Sequence, residues 1–254
     1  KQLALPSCEA MEPNQGGIIL GKDNNWYFLT HHGTGDWSGR IVSLLPVTWV
    51  EDWPILGEVL PQNIGTMKWD GKIPFKHTEK LYIKRSDDFD EDRLAPQWQW
   101  NYQPRKDYFS LTERPGWLRL KAYRPLDTNN LLKAGNTLTQ RTFRKQNNDV
   151  TIKMDISNMQ DGQKNGLCHF SSQHSAIGVM KEGDSCYLEY RKNGNITKGI
   201  HIRSKFVWFR TEWGMDGKSQ YYYSLDGDNF LPFGEMYQLS LIHISEPTRQ
   251  AEIS

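Results

Sequence analysis

The sequence predicts an all-β protein with more than one unit, and three observations support this prediction. Short apolar or alternating segments are separated by turns rich in Gly, Asn and Asp, which is the pattern of β-strands joined by tight connections. No segment after residue 58 has the 3.6-residue period of a helix. Aromatic residues make up 12% of the chain, and aromatic side chains favour strands.

The length and charge of the chain limit the classes of function. With 254 residues, the chain can form one large or two ordinary domains. Its 31 basic and 30 acidic residues give a net charge of +1, so we expect neither nucleic acid nor a membrane surface as a partner. No apolar run approaches the length of a membrane span. Pro6, Cys8 and Glu9 interrupt the first segment, so it does not resemble a signal peptide and we expect the natural protein to begin upstream.

The three cysteines, Cys8, Cys168 and Cys186, have no metal-ligand spacing such as Cys-x-x-Cys. A disulfide between Cys168 and Cys186 requires that their strands be neighbours. Free, buried thiols are the favoured alternative.

The first predicted unit, residues 1–57, contains four strands in short succession. These are Gly16–Leu20, Trp26–His31, Gly39–Trp49 and Trp53–Gly57. Such spacing is typical of a meander, which forms one blade of a propeller or one sheet of a barrel. A lone sheet cannot bury both faces, so we expect neighbouring sheets that these residues do not supply.

The motif GR-x-x-x-L-x-P-V-x-W-x-x-x-WP-x-x-G begins at Gly39. With the preceding PNQGGIIL and NNWYFLTHHGTGDW segments, it resembles the last blade of the five-bladed β-propeller of glycoside hydrolase family 43, which includes β-xylosidases and α-L-arabinofuranosidases. The resemblance implies that Arg40 lies at the floor of the sugar pocket and hydrogen-bonds the sugar, as a planar guanidinium can. The alternative is an Arg that pairs with an acid on the blade.

The resemblance also places His32 and Gln15 among the substrate-binding residues. Relatives often carry a metal-associated His where this chain has Asn14-Gln15, so we expect no metal ligand by that route. His31 and His32 are consecutive in a strand and point to opposite faces, so at most one of them can face the pocket.

The family's inverting chemistry needs two carboxyl groups that flank the glycosidic bond, and the resemblance assigns these groups to earlier blades. None of the acidic residues near the motif matches a catalytic position: Glu12, Asp23, Asp36, Glu51 and Asp52. We therefore expect no catalytic residue and no cofactor in this chain, which would be an inactive fragment. Its parent would be a periplasmic or extracellular bacterial enzyme that removes xylose or arabinose units from plant polysaccharides.

Residues 58–86 are interpreted as a linker packed on the seam between two domains. The segment Asp87–Leu120 then opens a second domain, residues 87–238, with a predicted hairpin around Arg114-Pro115-Gly116. The DDFD, WQW and FSLTERPGWLRL motifs resemble the concanavalin A-like jelly-roll β-sandwich that follows the propeller in family 43. The predicted strands are Thr137–Phe143, Val150–Ile156, Gly166–Ser171, Ala176–Lys181, Cys186–Arg191, Ile196–Arg203, Val207–Trp213 and Gln220–Leu225.

Two segments of the sandwich are candidates for function. In xylosidase relatives a sandwich loop reaches the pocket, and the segment with Arg141 and Phe143 is our candidate for that loop; a surface turn is the alternative. The acidic cluster Asp87–Asp92 has oxygen ligands for a structural Ca²⁺, but its spacing is not that of a calcium loop, so a solvated surface is favoured.

Two other functions remain open for the sandwich. It would be a carbohydrate-binding module if aromatic side chains such as Trp98, Trp208 and Tyr222 were coplanar and exposed on one face. It would be a structural support for the propeller if its aromatic residues filled the core, and we favour this second reading.

The C-terminal segment, residues 239–254, does not continue the sandwich pattern. LSLIHISEPTR, Leu239–Arg249, resembles an in-frame translation of a transposase-end sequencing adapter, so we interpret the segment as non-native and exclude His243 and Glu246 as site residues.

Amplification of the locus from source DNA tests this interpretation. We expect the native reading frame to diverge from the adapter sequence at about Leu239. A native locus that encodes LSLIHISEPTR would contradict it.

Overall fold

A computed structural model describes residues 13–33, 40–72, 74, 84–101, 104–127, 130–142, 146–170 and 173–239. The chain divides into two units, residues 1–81 and 82–254. Within the described ranges there is no α-helix, and the two helical turns, Lys106–Tyr108 and Leu131–Lys133, are single 3₁₀ turns. The all-β prediction is therefore confirmed. None of the helices in these ranges is long and apolar enough to span a membrane.

The first unit contains an antiparallel meander in which each strand pairs with the next along the chain, in the order β1-β2-β3-β4. A hairpin of two short strands, β5 and β6, each of two residues, follows it. This is the topology expected for one propeller blade. The strands are β1 Pro13–Leu20, β2 Trp26–Gly33, β3 Arg40–Val50, β4 Trp53–Leu56, β5 Val59–Leu60 and β6 Ile64–Gly65.

The turn between β1 and β2 is built by one carboxylate. Asp23 accepts hydrogen bonds from the backbone N–H of Asn25 at 3.2 Å, from its side chain at 3.0 Å and from the Tyr27 hydroxyl at 2.7 Å. Asn24 takes a positive φ of 61°, which Asn tolerates better than most residues. The side chains of Asn25 and Tyr27 lower the pKa of Asp23.

The first unit has a small core and large exposed apolar surfaces. Leu45, Val47 and Leu56 are buried, and Phe28, Met67 and Trp69 pack against them, so part of the predicted linker packs on this sheet. The strand register places exposed apolar side chains on both faces of the sheet. They are Ile18, Leu20, Trp26 and Trp49 on one face and Ile19, Leu29, Val42 and Trp53 on the other.

The second unit consists of two facing antiparallel sheets preceded by two small strand pairs. One sheet has the order β11-β16-β17-β18, with β19 also paired to β17, and the other has the order β12-β13-β14-β15. The small pairs are β7 with β10 and β8 with β9. The strands are β7 Trp98–Trp100, β8 Phe109–Ser110, β9 Arg119–Leu120, β10 Leu138–Gln140, β11 Asn147–Asp155, β12 Lys164–His169, β13 Ser175–Glu182, β14 Ser185–Lys192, β15 Asn195–Ile202, β16 Phe206–Gly214, β17 Lys218–Ser224, β18 Leu231–Pro232 and β19 Tyr237–Gln238.

The predicted hairpins and strands of this unit are largely confirmed. Gly116 takes a positive φ of 77° between β8 and β9, as the proline–glycine turn predicts. Among the described residues of the predicted strand Thr137–Phe143, the structure has a strand at Leu138–Gln140, which pairs with the three-residue strand β7.

The two large sheets enclose one core. Its buried members come from six strands of both sheets, and Phe209, Tyr221, Ile177 and Leu188 have no exposed surface. In the predicted strand Val150–Ile156, the alternate residues Ile152, Met154 and Ile156 all contact this core. Two sheets packed face to face through alternating apolar side chains define a β-sandwich.

Both cysteines of the sandwich are free, which confirms the favoured expectation, and the alternative disulfide between them does not form. Cys168 lies on β12 and Cys186 on β14, and β13 separates these two strands. Burial raises the pKa of the Cys168 thiol to about 12, so this thiol stays protonated and unreactive.

A buried polar network joins four strands of the sandwich. The Tyr221 hydroxyl accepts a hydrogen bond from the backbone N–H of His169 at 2.8 Å and donates to the Ser175 carbonyl at 2.8 Å. His169 Nε2 lies 2.8 Å from Thr211 Oγ1. Because buried polar groups without partners are costly, these bonds make the positions of β12, β13, β16 and β17 interdependent.

The buried imidazole makes the stability of the sandwich pH-dependent. Burial lowers the pKa of His169 to about 4, whereas an unfolded His has a pKa of about 6.5. Between these values the unfolded chain binds a proton that the folded chain does not, so the free energy of unfolding falls on acidification by about 3 kcal/mol. We expect His169→Gln to lose this part of the pH dependence, measured by hydrogen–deuterium exchange of β16 and β17.

Thr211→Val is the matched control, because it removes the hydroxyl beside the ring but keeps the titrating group. It should destabilise the sandwich at every pH and retain the wild-type dependence on pH. A His169→Gln variant with the wild-type dependence would contradict the prediction.

Candidate functional site

Three of the predicted sugar-binding residues lie at one end of the first sheet. Arg40 is the first residue of β3 and pairs with Gly33, the last residue of β2. His32 is adjacent to that end, and Gln15 lies where the β1 register shifts between Pro13 and Gly16. This end, defined by Gln15, His32 and Arg40, is called the pocket end below.

Two side-chain hydrogen bonds organise the pocket end. The Ser43 hydroxyl lies 2.6 Å from His32 Nδ1, and the Thr30 hydroxyl donates to the Gln15 carbonyl at 3.0 Å, across the register shift. His31 lies on the opposite face of β2, as predicted for consecutive strand residues. Its Nδ1 is buried and has no hydrogen-bond partner among the described residues.

The other two predicted residues belong to the second unit. Arg141 is exposed and follows the end of β10. Its neighbour Gln140 donates from Nε2 to the Arg85 carbonyl at 3.0 Å. Phe143 lies outside the described residues. A role of these two residues in sugar binding stays a prediction.

The acidic cluster at the start of the sandwich is a local structural feature. The Asp87 carboxylate accepts hydrogen bonds from Trp98 Nε1 at 2.7 Å and from the Phe89 backbone N–H at 3.0 Å. Asp90 and Asp92 are exposed. In the part of the chain that the structure describes, no group of three or more His, Cys, Asp or Glu side chains is positioned to hold a metal ion.

The outer face of the sheet β11-β16-β17 carries half-buried aromatic rings, called the aromatic face below. Trp208 and Tyr222 lie on this face and not in the core, so the expectation that these rings fill the core is wrong for both. The ammonium of Lys153 lies 5.0 Å from the ring centre of Trp208 and 4.7 Å from that of Phe206. Such cation–π contacts place the protein's own cation against these rings.

The predicted Pro-Gly hairpin is tied to the edge of this face by an ion pair. Arg114 Nη1 donates to the Asp155 carboxylate at 2.6 Å, and its guanidinium lies 4.0 Å from the ring centre of Trp117. Burial alone would raise the pKa of Asp155, but hydrogen bonds from Ser157 and Arg114 outweigh it and lower that pKa.

Comparisons with known proteins agree with this architecture. Residues 86–249 match the family model of the beta-xylosidase C-terminal concanavalin A-like domain. The chain therefore belongs to glycoside hydrolase family 43, of which it represents the C-terminal part, the last propeller blade followed by the β-sandwich.

Individual relatives show how much of the family's length is present. The chain is 32% identical to a beta-xylosidase from Formosa agariphila, over 89% of this chain and 42% of that protein. It is also 32% identical to the non-reducing end alpha-L-arabinofuranosidase BoGH43B from Bacteroides ovatus, over 41% of this chain and 20% of that protein. The crystal structure of the GH43 protein BlXynB from Bacillus licheniformis has a TM-score of 0.76, with 22% identity over 95% of this chain and 48% of that chain.

The chain thus spans less than half the length of the curated relatives it matches, and the BlXynB structure supports the fold.

Two features of the site were missed from sequence, namely Ser43 and the ion pair of Arg114 with Asp155. The strand register would have indicated Ser43, because it lies two residues from the partner of His32 on the same face.

We expect Arg114→Ala to destabilise the sandwich by about 1–2 kcal/mol, because it removes a charge-assisted hydrogen bond to a largely buried carboxylate. Faster hydrogen–deuterium exchange in β11 and β16 measures this effect. Arg93→Ala is the control, since Arg93 is 90% exposed and lies 4.0 Å from Asp92, and it should change stability by less than about 0.5 kcal/mol. Equal effects of the two substitutions would contradict the role assigned to Arg114.

Proposed function

We propose that this chain is the C-terminal part of a bacterial glycosidase that removes terminal xylose or arabinose units from plant polysaccharides or their oligosaccharides. The observation that supports the proposal is the pocket end, where Gln15, His32 and Arg40 lie at the same end of a blade of the family 43 fold. The names of two relatives, a beta-xylosidase and an alpha-L-arabinofuranosidase, support pentose units as the substrate.

The proposed reaction is hydrolysis with inversion at the anomeric carbon. One carboxylic acid protonates the leaving oxygen while a carboxylate activates water on the opposite face of the sugar, with the two groups about 6.5–9.5 Å apart. Upstream blades would supply both groups, and no cofactor takes part. Arg40, His32 and Gln15 would hold the hydroxyl groups of the terminal sugar, with Arg141 and Phe143 as further proposed sugar-binding residues.

The exposed apolar surfaces of the first unit support the need for upstream blades. Ile18 and Trp26 on one face, and Leu29 and Val42 on the other, are all more than one-third exposed. Neighbouring blades would bury such faces, since propeller blades stack face to face around a central axis. The chain by itself is proposed to be inactive, and its parent to be secreted to the periplasm or the medium.

The sandwich is proposed to support the propeller structurally. A second candidate is a carbohydrate-binding surface at the aromatic face, and the outward position of Trp208 and Tyr222 is the observation that favours it. The contacts of Lys153 with Trp208 and Phe206 favour the structural role, because a sugar ring would have to compete with that cation for the ring faces. Isothermal titration of this chain with xylohexaose separates the two: binding that Trp208→Ala abolishes would favour the second.

The experiment on catalysis uses this chain and the longer protein encoded by the contiguous source gene. We expect the chain alone to leave aryl β-xylosides and aryl α-arabinofuranosides intact, whereas the longer protein hydrolyses at least one of them. Proton NMR of the first sugar released should show the inverted anomer. In the longer protein, Arg40→Met should lower kcat/KM about a hundredfold, because a charged donor to the sugar is lost.

Arg93→Met is the matched control, since Arg93 is exposed in the second unit and should leave kcat/KM unchanged. Hydrolysis by the chain alone, or release of the retained anomer, would contradict the proposal.

A further inference from the structure

Ser43 and His32 form a cross-strand pair at the pocket end. In the register of β2 and β3, Ser43 lies opposite Thr30 and His32 lies opposite Ile41. Ser43 and His32 are therefore diagonal neighbours on one face of the sheet, a separation that side chains can bridge. The distance from Ser43 Oγ to His32 Nδ1 is 2.6 Å, which is short for a hydrogen bond between a hydroxyl and a ring nitrogen.

The direction of this hydrogen bond depends on the tautomer of the His32 imidazole. A neutral imidazole has one N–H donor and one acceptor nitrogen, and a serine hydroxyl has one hydrogen to donate. Among the described residues, the contact with His32 is the one side-chain hydrogen bond of the Ser43 hydroxyl. Ser43 is half-buried, so its hydroxyl can also reach solvent, and the distance alone allows either direction. Donation from Ser43 to Nδ1 would use the hydroxyl hydrogen within the protein and would place the imidazole proton on Nε2.

We propose that Ser43 is a positioning residue for His32. It holds the ring in one orientation and in the Nε2–H tautomer, so that His32 offers an N–H donor to a hydroxyl oxygen of the terminal pentose. The pentose ligand named in this proposal depends on the proposed function, whereas the contact between Ser43 and His32 does not. Arg40, a second donor by residue type, begins β3 at the same end of the sheet, at a register position on the face opposite to that of Ser43 and His32.

His31 provides the internal contrast. It is the adjacent residue of the same strand, yet it lies on the other face, and its buried Nδ1 has no hydrogen-bond partner in the described part of the chain. Ser43 therefore contacts the ring of His32 and does not contact that of His31.

Nitrogen-15 NMR of the histidine side chains in the full 254-residue chain tests the geometry without any activity. We expect the wild type to show His32 in the Nε2–H tautomer, with an Nδ1 resonance shifted by an accepted hydrogen bond. Ser43→Ala should move that resonance towards the value of a free acceptor nitrogen, and Ser43→Thr, which keeps a hydroxyl at this position, should restore it. Val42→Ala, on the opposite face of β3, is the control and should leave His32 unchanged.

A proton on Nδ1 in the wild type, or an unchanged His32 spectrum in Ser43→Ala, would overturn the proposal. In the longer protein, Ser43→Ala should lower kcat/KM about five- to tenfold, as expected for one misplaced neutral hydrogen bond, and Ser43→Thr should restore it. A shifted His32 spectrum with unchanged kcat/KM would overturn the role in sugar binding. A longer protein without glycosidase activity would contradict the proposed function, while the spectra would still decide whether Ser43 positions His32.

Discussion

The apolar faces of β-sheets must be removed from water, and the two units of this chain meet that requirement to different degrees. In the second unit two sheets cover each other, and the side chains of Phe209 and Leu188 between them are fully buried. The first unit has one four-stranded sheet, and apolar side chains on both of its faces stay exposed. At about 25 cal/mol per Å² of apolar surface, uncovered faces of this kind are a strong driving force for packing against further sheets.

The sandwich also contains polar groups that a purely apolar core would exclude. Tyr221, His169, Ser175 and Thr211 satisfy one another across the two sheets. Because each bond requires a particular strand position, the network specifies how the sheets pack, whereas apolar contacts alone would tolerate small shifts. On the aromatic face, outside the core, the half-buried rings are covered by long basic side chains such as Lys153, through their aliphatic stems and their charged ends.

The elements of the fold were predictable from sequence because their signals are local. Alternation of apolar and polar residues located β11, and Gly and Pro turns located the hairpin around Gly116. Tertiary pairing was not predictable in the same way. In the described part of the strand predicted at Thr137–Phe143, Leu138–Gln140 pairs with the three-residue strand β7, and the position of β13 between the strands of Cys168 and Cys186 decided between the thiol and disulfide alternatives.

The candidate site shows the same division between local and tertiary signals. Gln15, His32 and Arg40 were predicted through resemblance, and the meander topology brings all three to one end of the sheet. The Ser43 contact depends on the register between β2 and β3, which the sequence alone left open. Trp208 and Tyr222 were expected in the core, but a half-buried outer face has the same alternation as a buried inner one.

Hydrogen–deuterium exchange of this chain, resolved to individual strands, tests most directly whether the first sheet is a blade that depends on further blades. We expect amides in β13, β14, β16 and β17 to exchange at least about a hundredfold more slowly than those in β1–β4, since covered sheets open only with the global core. In the longer protein, protection of β1–β4 should rise to that of the sandwich. Equal protection of both units in this chain would contradict the account.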